Sequence, residues 1–152
     1  MVDVSAKAVT RRRAEAEGEI RMERSTLDAI QENAVKKGDV LTVARLAAVG
    51  GAKRTAELIP LCHPLSLDGI DVTVEPKPEL PGICLNVSVT TEGRTGVEME
   101  ALCGVSAGLL AVYDMCKAMD RGMEIGPVRL TYKAGGASGE WRRDSARDTN
   151  QD

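Results

Sequence analysis

Aromatic side chains are nearly missing from this sequence, which has one Trp, two Tyr and no Phe. Aliphatic residues and Ala must build the core, and a base-stacking nucleic-acid module, which needs aromatic platforms on its strands, finds only Tyr132 on a predicted strand. An excess of positive charge is missing too. With a formal net charge of −3, the chain is not a generic polyanion binder with a basic face, so any phosphate it handles must be held by a few local cations. No apolar run approaches the ~20 residues needed to cross a bilayer, and no charged-then-apolar leader opens the chain. The expectation is a cytoplasmic protein with neither a membrane nor a nucleic-acid partner. Cys62, Cys84, Cys103 and Cys116 form no C-x-x-C pair and have one histidine, His63, to join them, which fails the ligand arithmetic of a zinc site. They are expected to be reduced small hydrophobes.

What is present supports a core without staples, because a chain of 152 residues buries roughly 70% of the surface it exposes when unfolded. From Arg13 to Met22, Ala14, Ala16, Gly18, Ile20 and Met22 alternate with charged residues, the period of a half-buried strand. Ser25-x-x-Asp28 resembles a capping box for a helix through Leu27, Ile30 and Ala34, with Lys36-Lys37 in its last turn and Gly38 as its C-cap. Asp39 is placed to cap a second helix, and Gly50-Gly51 predicts a break before Ala52 to Leu58. Ile70, Val72 and Val74 alternate, as do Ile83, Leu85, Val87 and Val89 beyond a connection from Pro76 to Pro81, which predicts an antiparallel hairpin. Thr95-x-x-Glu98 opens the longest helical pattern, with Leu102, Val105, Leu109, Val112, Cys116 and Met119 on one stripe. Val128, Leu130 and Tyr132 form a last strand, and residues from 140 onward read as a polar, loosely held tail. The order strand, helices, strand, strand, helix, strand predicts an α+β, ferredoxin-like (split β-α-β) domain over 1–139, with an antiparallel sheet and helices on one face.

Several residues stand apart from this scaffold. In Leu58-Ile-Pro-Leu-Cys-His-Pro-Leu65 the two prolines push Ile59 and His63 toward extended backbone, so the segment is stiff. Cys62 and His63 are neighbours in an extended run and project to opposite sides, which opposes a thiol-base pair. Taken alone, His63 fits a satisfied core residue better than a catalyst. Glu98 and Glu100 in the first turn of the long helix suit its positive end, and Asp114 and Lys117 face one another at spacing i, i+3. Asp114 lies fourteen residues beyond Glu100, roughly 21 Å along a straight helix. If both are catalytic, one chain cannot supply both to one small-molecule site, and a two-fold interface must complete it. Lys133-Ala-Gly-Gly-Ala-Ser-Gly139 is either a flexible exit from the fold or a backbone cradle for phosphate, and it lacks the Walker order.

Seven blocks carry a resemblance: Met1-Val-Asp-Val-Ser-Ala-Lys7, Lys37-Gly-Asp39, Ala52-Lys-Arg-Thr55, Leu58 to Leu65, Thr95-Gly-Val-Glu-Met-Glu-Ala-Leu102, Tyr113-Asp-Met-Cys-Lys-Ala118 and Ile125-Gly-Pro-Val-Arg129. Together they resemble the molybdenum cofactor biosynthesis protein C family, the cyclic pyranopterin monophosphate synthases. The resemblance implies a lyase that converts a 3′,8-cyclised dihydroguanosine triphosphate into cyclic pyranopterin monophosphate with release of pyrophosphate. It implies a ferredoxin-like fold assembled as a hexamer of three dimers, with the site at the dimer interface. It implies no resident cofactor and no metal ligands, and leaves open whether Mg2+ accompanies the triphosphate. By motif, Asp114, Lys117 and Lys37 match catalytic positions, while Leu61, Cys62, His63, Glu98 and Met99 match substrate-contacting segments, with Glu100 close by. On this basis Lys117 and Lys37 are assigned to proton transfer, Asp114 to orienting Lys117, and His63 to hydrogen bonding or proton exchange. Arg12, Lys53 and Lys133 are assigned to the triphosphate. Relatives often carry a lysine in the glycine loop where this chain has Ala137, which shifts the burden there to Lys133. Two rivals are an RNA- or nucleotide-binding module and a structural oligomer built on the long helix.

Overall fold

A computed structural model of the chain describes residues 1–144. Its elements are β1 (Thr10–Arg21), α1 (Arg24–Gln31), α2 (Val40–Lys53), α3 (Thr55–Leu58), β2 (Gly69–Lys77), β3 (Gly82–Gly93), α4 (Glu98–Cys116), β4 (Glu124–Ala134) and β5 (Trp141–Arg142). The strands form one antiparallel sheet in the order β2-β3-β1-β4-β5. This is an α+β arrangement consistent with the ferredoxin-like fold expected from the element order.

The alternation in β1 sets the two faces. Ala14, Ala16 and Ile20 are buried and pair with Val89, Val87 and Ile83 of β3, while Glu15, Glu17 and Glu19 sit on the other side. On the inner face lies α4, whose Val105, Leu109 and Val112 are fully buried, each worth about 1.5–3 kcal/mol by apolar area. Gly18 marks the closest approach, since a Cβ there would stand 2.7 Å from Val105 Cγ1 and 2.9 Å from Leu109 Cδ1. By length and composition α4 is apolar enough to cross a membrane, although Glu98, Glu100 and Asp114 lie within it. Here 56% of its apolar window is buried, as in the core helix of a globular fold.

Four local expectations need correction. The first helix stops at Gln31, because Asn33 adopts φ 53 and the chain turns before Gly38 at φ +110. Lys36-Lys37 are therefore in a turn, and the proposed Ser25 capping box does not form: the N-cap is Glu23, whose N–H donates to Asp120 Oδ2 at 2.9 Å. The second helix is capped by Asp39 as expected, but it runs through Gly50-Gly51 to Lys53. Gly51 is a contact, not a break, since a Cβ there would lie 2.5 Å from Ala107 Cβ and 2.8 Å from the Cys103 carbonyl of α4. The long helix begins at Glu98 without a side-chain cap, leaving Thr95 outside it, and ends at Cys116, so Met119 is half-exposed. Trp141–Arg142, assigned by sequence to the loose tail, pair with Lys133 and Tyr132 of β4, and the Arg142 guanidinium lies 4.6 Å from the Tyr132 ring centroid. Residues 145–152 of that tail lie outside the described residues.

The two glycines of α2 give a paired test. Gly51→Ala forces α2 from α4 and should cost about 1–3 kcal/mol. Gly50→Ala, whose Cβ would meet nothing within 4 Å, should stabilise by about 0.5–1 kcal/mol. Urea unfolding measures both, and equal effects at the two positions would contradict the packing described.

Candidate active site

The predicted residues fall into three groups, at the two ends of α4. At the C-terminal end, Lys37 is carried across by the turn that follows buried Val35. Its Nζ donates to the Asp114 carboxylate at 2.8 Å and to the Asp114 carbonyl at 3.0 Å, while Lys117 Nζ meets the other carboxylate oxygen at 2.7 Å. Hydrogen bonds from Lys117 and then Lys37 hold the Asp114 carboxyl down at about 2. Reciprocally, the bond to Asp114 raises Lys117 above the ordinary lysine value. At neutral pH Lys117 is an ammonium, placed to give a proton before it takes one.

At the N-terminal end, a groove of about 560 Å³ is bordered by Lys7, Arg12, Arg94 and Lys133, with Glu98 the one carboxylate on its wall. Four cations against one anion make it a seat for a polyanion. The loop after β4 closes one side, with Gly135 at φ +100 and Gly136 at φ +76. The bare backbone of Gly136 lies against the Arg12 guanidinium, which a Cβ would displace. Lys133 Nζ donates to the Ser138 hydroxyl and stands 3.9 Å from Glu98 Oε1. Arg12 Nε is buried and has no hydrogen-bond partner. Ala137 lines the groove without adding a charge to it.

The third group is the His63 loop. Leu61 is exposed, Cys62 and His63 are half-buried, and the Cys62 N–H donates to the Ile59 carbonyl at 3.1 Å. Beside it a cleft of about 150 Å³ is lined by Lys53, Pro64, Leu65 and Glu100 among others. Glu100 is only 3% exposed, and its Oε2 has no partner. Burial pushes its carboxyl up, with the nearby Glu98 charge adding to the effect. Burial likewise raises the Cys62 thiol, which disfavours a thiolate and agrees with a packing role. All four cysteines are free, and among the described residues no group of three His, Cys, Asp or Glu is placed to hold a metal.

Arg12, Lys133 and Glu98 thus come together, as do Lys37, Asp114 and Lys117; Cys62 lies within reach of the Glu100 charge, and His63 follows it in the same loop. Met99 lies between Glu98 and Glu100, on the first turn of α4. Lys53, grouped by sequence with the phosphate cations, instead lines the cleft beside Glu100. Lys7 and Arg94 were missed; Lys7 sits in a block that carried the resemblance, and Arg94 directly precedes another.

The MoaC family model matches residues 1–136. The chain belongs to the MoaC family. A relative, cyclic pyranopterin monophosphate synthase 3 of Mycobacterium bovis, is 55% identical over 146 residues, 96% of this chain and 82% of the relative. Every residue assigned to the site in this MoaC-family chain, from Arg12 to Lys133, lies within the matched span.

The depressed Asp114 value has a defined pH window. A carboxyl lowered in the folded state contributes stability fully above its ordinary value of 3.8 and loses it as pH falls toward about 2. A 13C titration of the side-chain carboxyl should place Asp114 near 2, and a Lys37→Ala/Lys117→Ala variant should return it toward 3.8. For Glu100 the sign is opposite, because a raised carboxyl is stabilising below its ordinary value and loses that contribution as pH rises. Glu100→Gln should therefore narrow the difference in Tm between pH 4.5 and pH 8; an unchanged difference would show that Glu100 is not strained by ionisation.

Proposed function

We propose that this MoaC-family protein is a cytoplasmic cyclic pyranopterin monophosphate synthase of molybdenum cofactor biosynthesis, acting on a 3′,8-cyclised dihydroguanosine triphosphate. The observation that carries this reading is the pair of charge clusters: a cationic groove of polyphosphate size at one end of α4, and a lysine-aspartate-lysine proton-transfer set at the other. The triphosphate occupies the groove, where Arg12 and Lys133 offset the charge that gathers on the leaving pyrophosphate. Closing the cyclic phosphate forms a bond from a substrate hydroxyl to the α-phosphorus and breaks the α–β bridging bond. The hydroxyl proton goes to a neighbouring base, for which His63 on its stiff loop is the candidate. Lys117, held protonated by Asp114, serves as acid in the rearrangement of the purine-derived ring, with Lys37 sharing the same carboxylate. No resident cofactor enters these steps.

A site that uses both clusters needs a second copy of the chain. The outer face of the helix layer supplies an apolar surface for it: Leu46 of α2 is 67% and Leu110 of α4 59% exposed, and Val43 lies on the same side of α2. We assign this face to the dimer, three of which make the hexamer the family resemblance implies. The rival reading as a nucleic-acid module is opposed by the outer sheet face, where Glu15, Glu17 and Asp71 place carboxylates and Tyr132, opposite Glu15 in the ladder, already has the Arg142 guanidinium over its ring.

Purified protein should release pyrophosphate from the cyclised nucleotide. Lys117→Ala or Asp114→Ala should lower kcat at least about 100-fold, the usual range for loss of a proton-transfer group, with the circular dichroism spectrum unchanged. Full turnover by either variant would remove these residues from the mechanism.

A further inference from the structure

Residues Met1–Val9 include no helix or strand, yet hydrogen bonds give the segment a fixed path. Asp3 Oδ1 accepts from the Ser5 N–H at 2.8 Å, and the Lys7 N–H donates to the Val4 carbonyl at 3.0 Å. Both bonds are local and say nothing about where the segment lies on the protein. A third does: Arg94 donates from Nε to the Lys7 carbonyl at 3.1 Å, joining the turn after β3 to the segment before β1. The ladder between β1 and β3 ends at Thr10 and Gly93, so this bond extends the attachment past the last pair of the sheet. Arg94 and Lys7 both border the cationic groove with Arg12 and Lys133.

We propose that Arg94 is a positioning residue, whose Nε–H fastens the N-terminal segment at Lys7 and thereby holds the Lys7 ammonium in the cation ring of the groove. This rests on the polyphosphate reading given above. An untethered lysine on a segment without helix or strand gives up backbone and side-chain freedom when it binds a phosphate, and a tether removes part of that cost beforehand. Arginine suits the task because the fork keeps further N–H donors after Nε is engaged. Lysine at the same place keeps the charge and lacks that planar, two-sided donor set.

The test uses inorganic tripolyphosphate, with calorimetry on the full chain and on Lys7→Ala, Arg94→Lys and the double variant. Each single variant should bind about tenfold more weakly, the scale of one charge-assisted contact, and the double variant no more weakly than Lys7→Ala alone. Trypsin should cut after Lys7 faster in Arg94→Lys than in the unaltered protein. If the unaltered protein does not bind tripolyphosphate, the polyphosphate reading falls and this proposal with it. If it binds but the two losses multiply, or if cleavage after Lys7 is unchanged in Arg94→Lys, the positioning role alone is overturned.

Discussion

The close seating of α4 against both the sheet and its neighbour α2 is the constraint on which the rest of the structure depends. It needs small residues on three sides. Gly18 of β1 admits Val105 and Leu109, Gly51 of α2 admits the Cys103 carbonyl, and Gly108 of α4 receives Leu85 and lies under the Ala44 carbonyl. Interiors packed at this density have discrete arrangements and deform little. So α4 acts as a rigid rod, and the groups on it keep a fixed separation: Glu98 and Glu100 at one end, Asp114 and the capping Lys117 at the other.

Each end of the rod then recruits groups from far along the chain. At the N-terminal end, the β4 loop, the entry to β1 and the turn after β3 converge because β1 lies between β3 and β4 in the sheet. The His63 loop arrives there from α3, bringing Glu100 into an apolar setting that favours its neutral form. At the C-terminal end, the turn after α1 swings Lys37 onto Asp114. The electrostatic characters are opposed in kind: one end collects cations with few counter-charges, and the other is a self-satisfied ion cluster in which one carboxylate holds two ammonium groups. Binding a polyanion suits the first; delivering protons from a defined ammonium suits the second.

Much of this was legible in the sequence where a local rule acts alone. The alternation of β1, the Asp39 cap, the i, i+3 contact of Asp114 with Lys117 and the fourteen-residue separation from Glu100 all follow from periodicity and helix geometry. What was not legible depends on partners distant in sequence. Asn33 in a left-handed conformation ends α1, where composition alone favoured Gly38 as the stop. Gly51 looks like a helix break until α4 is laid against it. No spacing rule joins Lys37 to Asp114 or Arg94 to Lys7, and none separates Lys53 from Arg12 and Lys133. Those relations belong to the sheet order and to the turns, and charge type alone does not encode them.

The central claim is that one working site draws on the His63 end of one chain and the Asp114 end of another, since α4 holds the two roughly 21 Å apart within a chain. The most direct measurement mixes His63→Ala and Asp114→Ala proteins, each inactive alone, under conditions of subunit exchange verified by mass spectrometry. In a two-fold dimer, random pairing leaves about one quarter of the sites intact, so the account predicts pyrophosphate release at about one quarter of the unmutated rate. No recovered activity in a fully exchanged mixture would contradict it and would require both ends of α4 to act within a single chain.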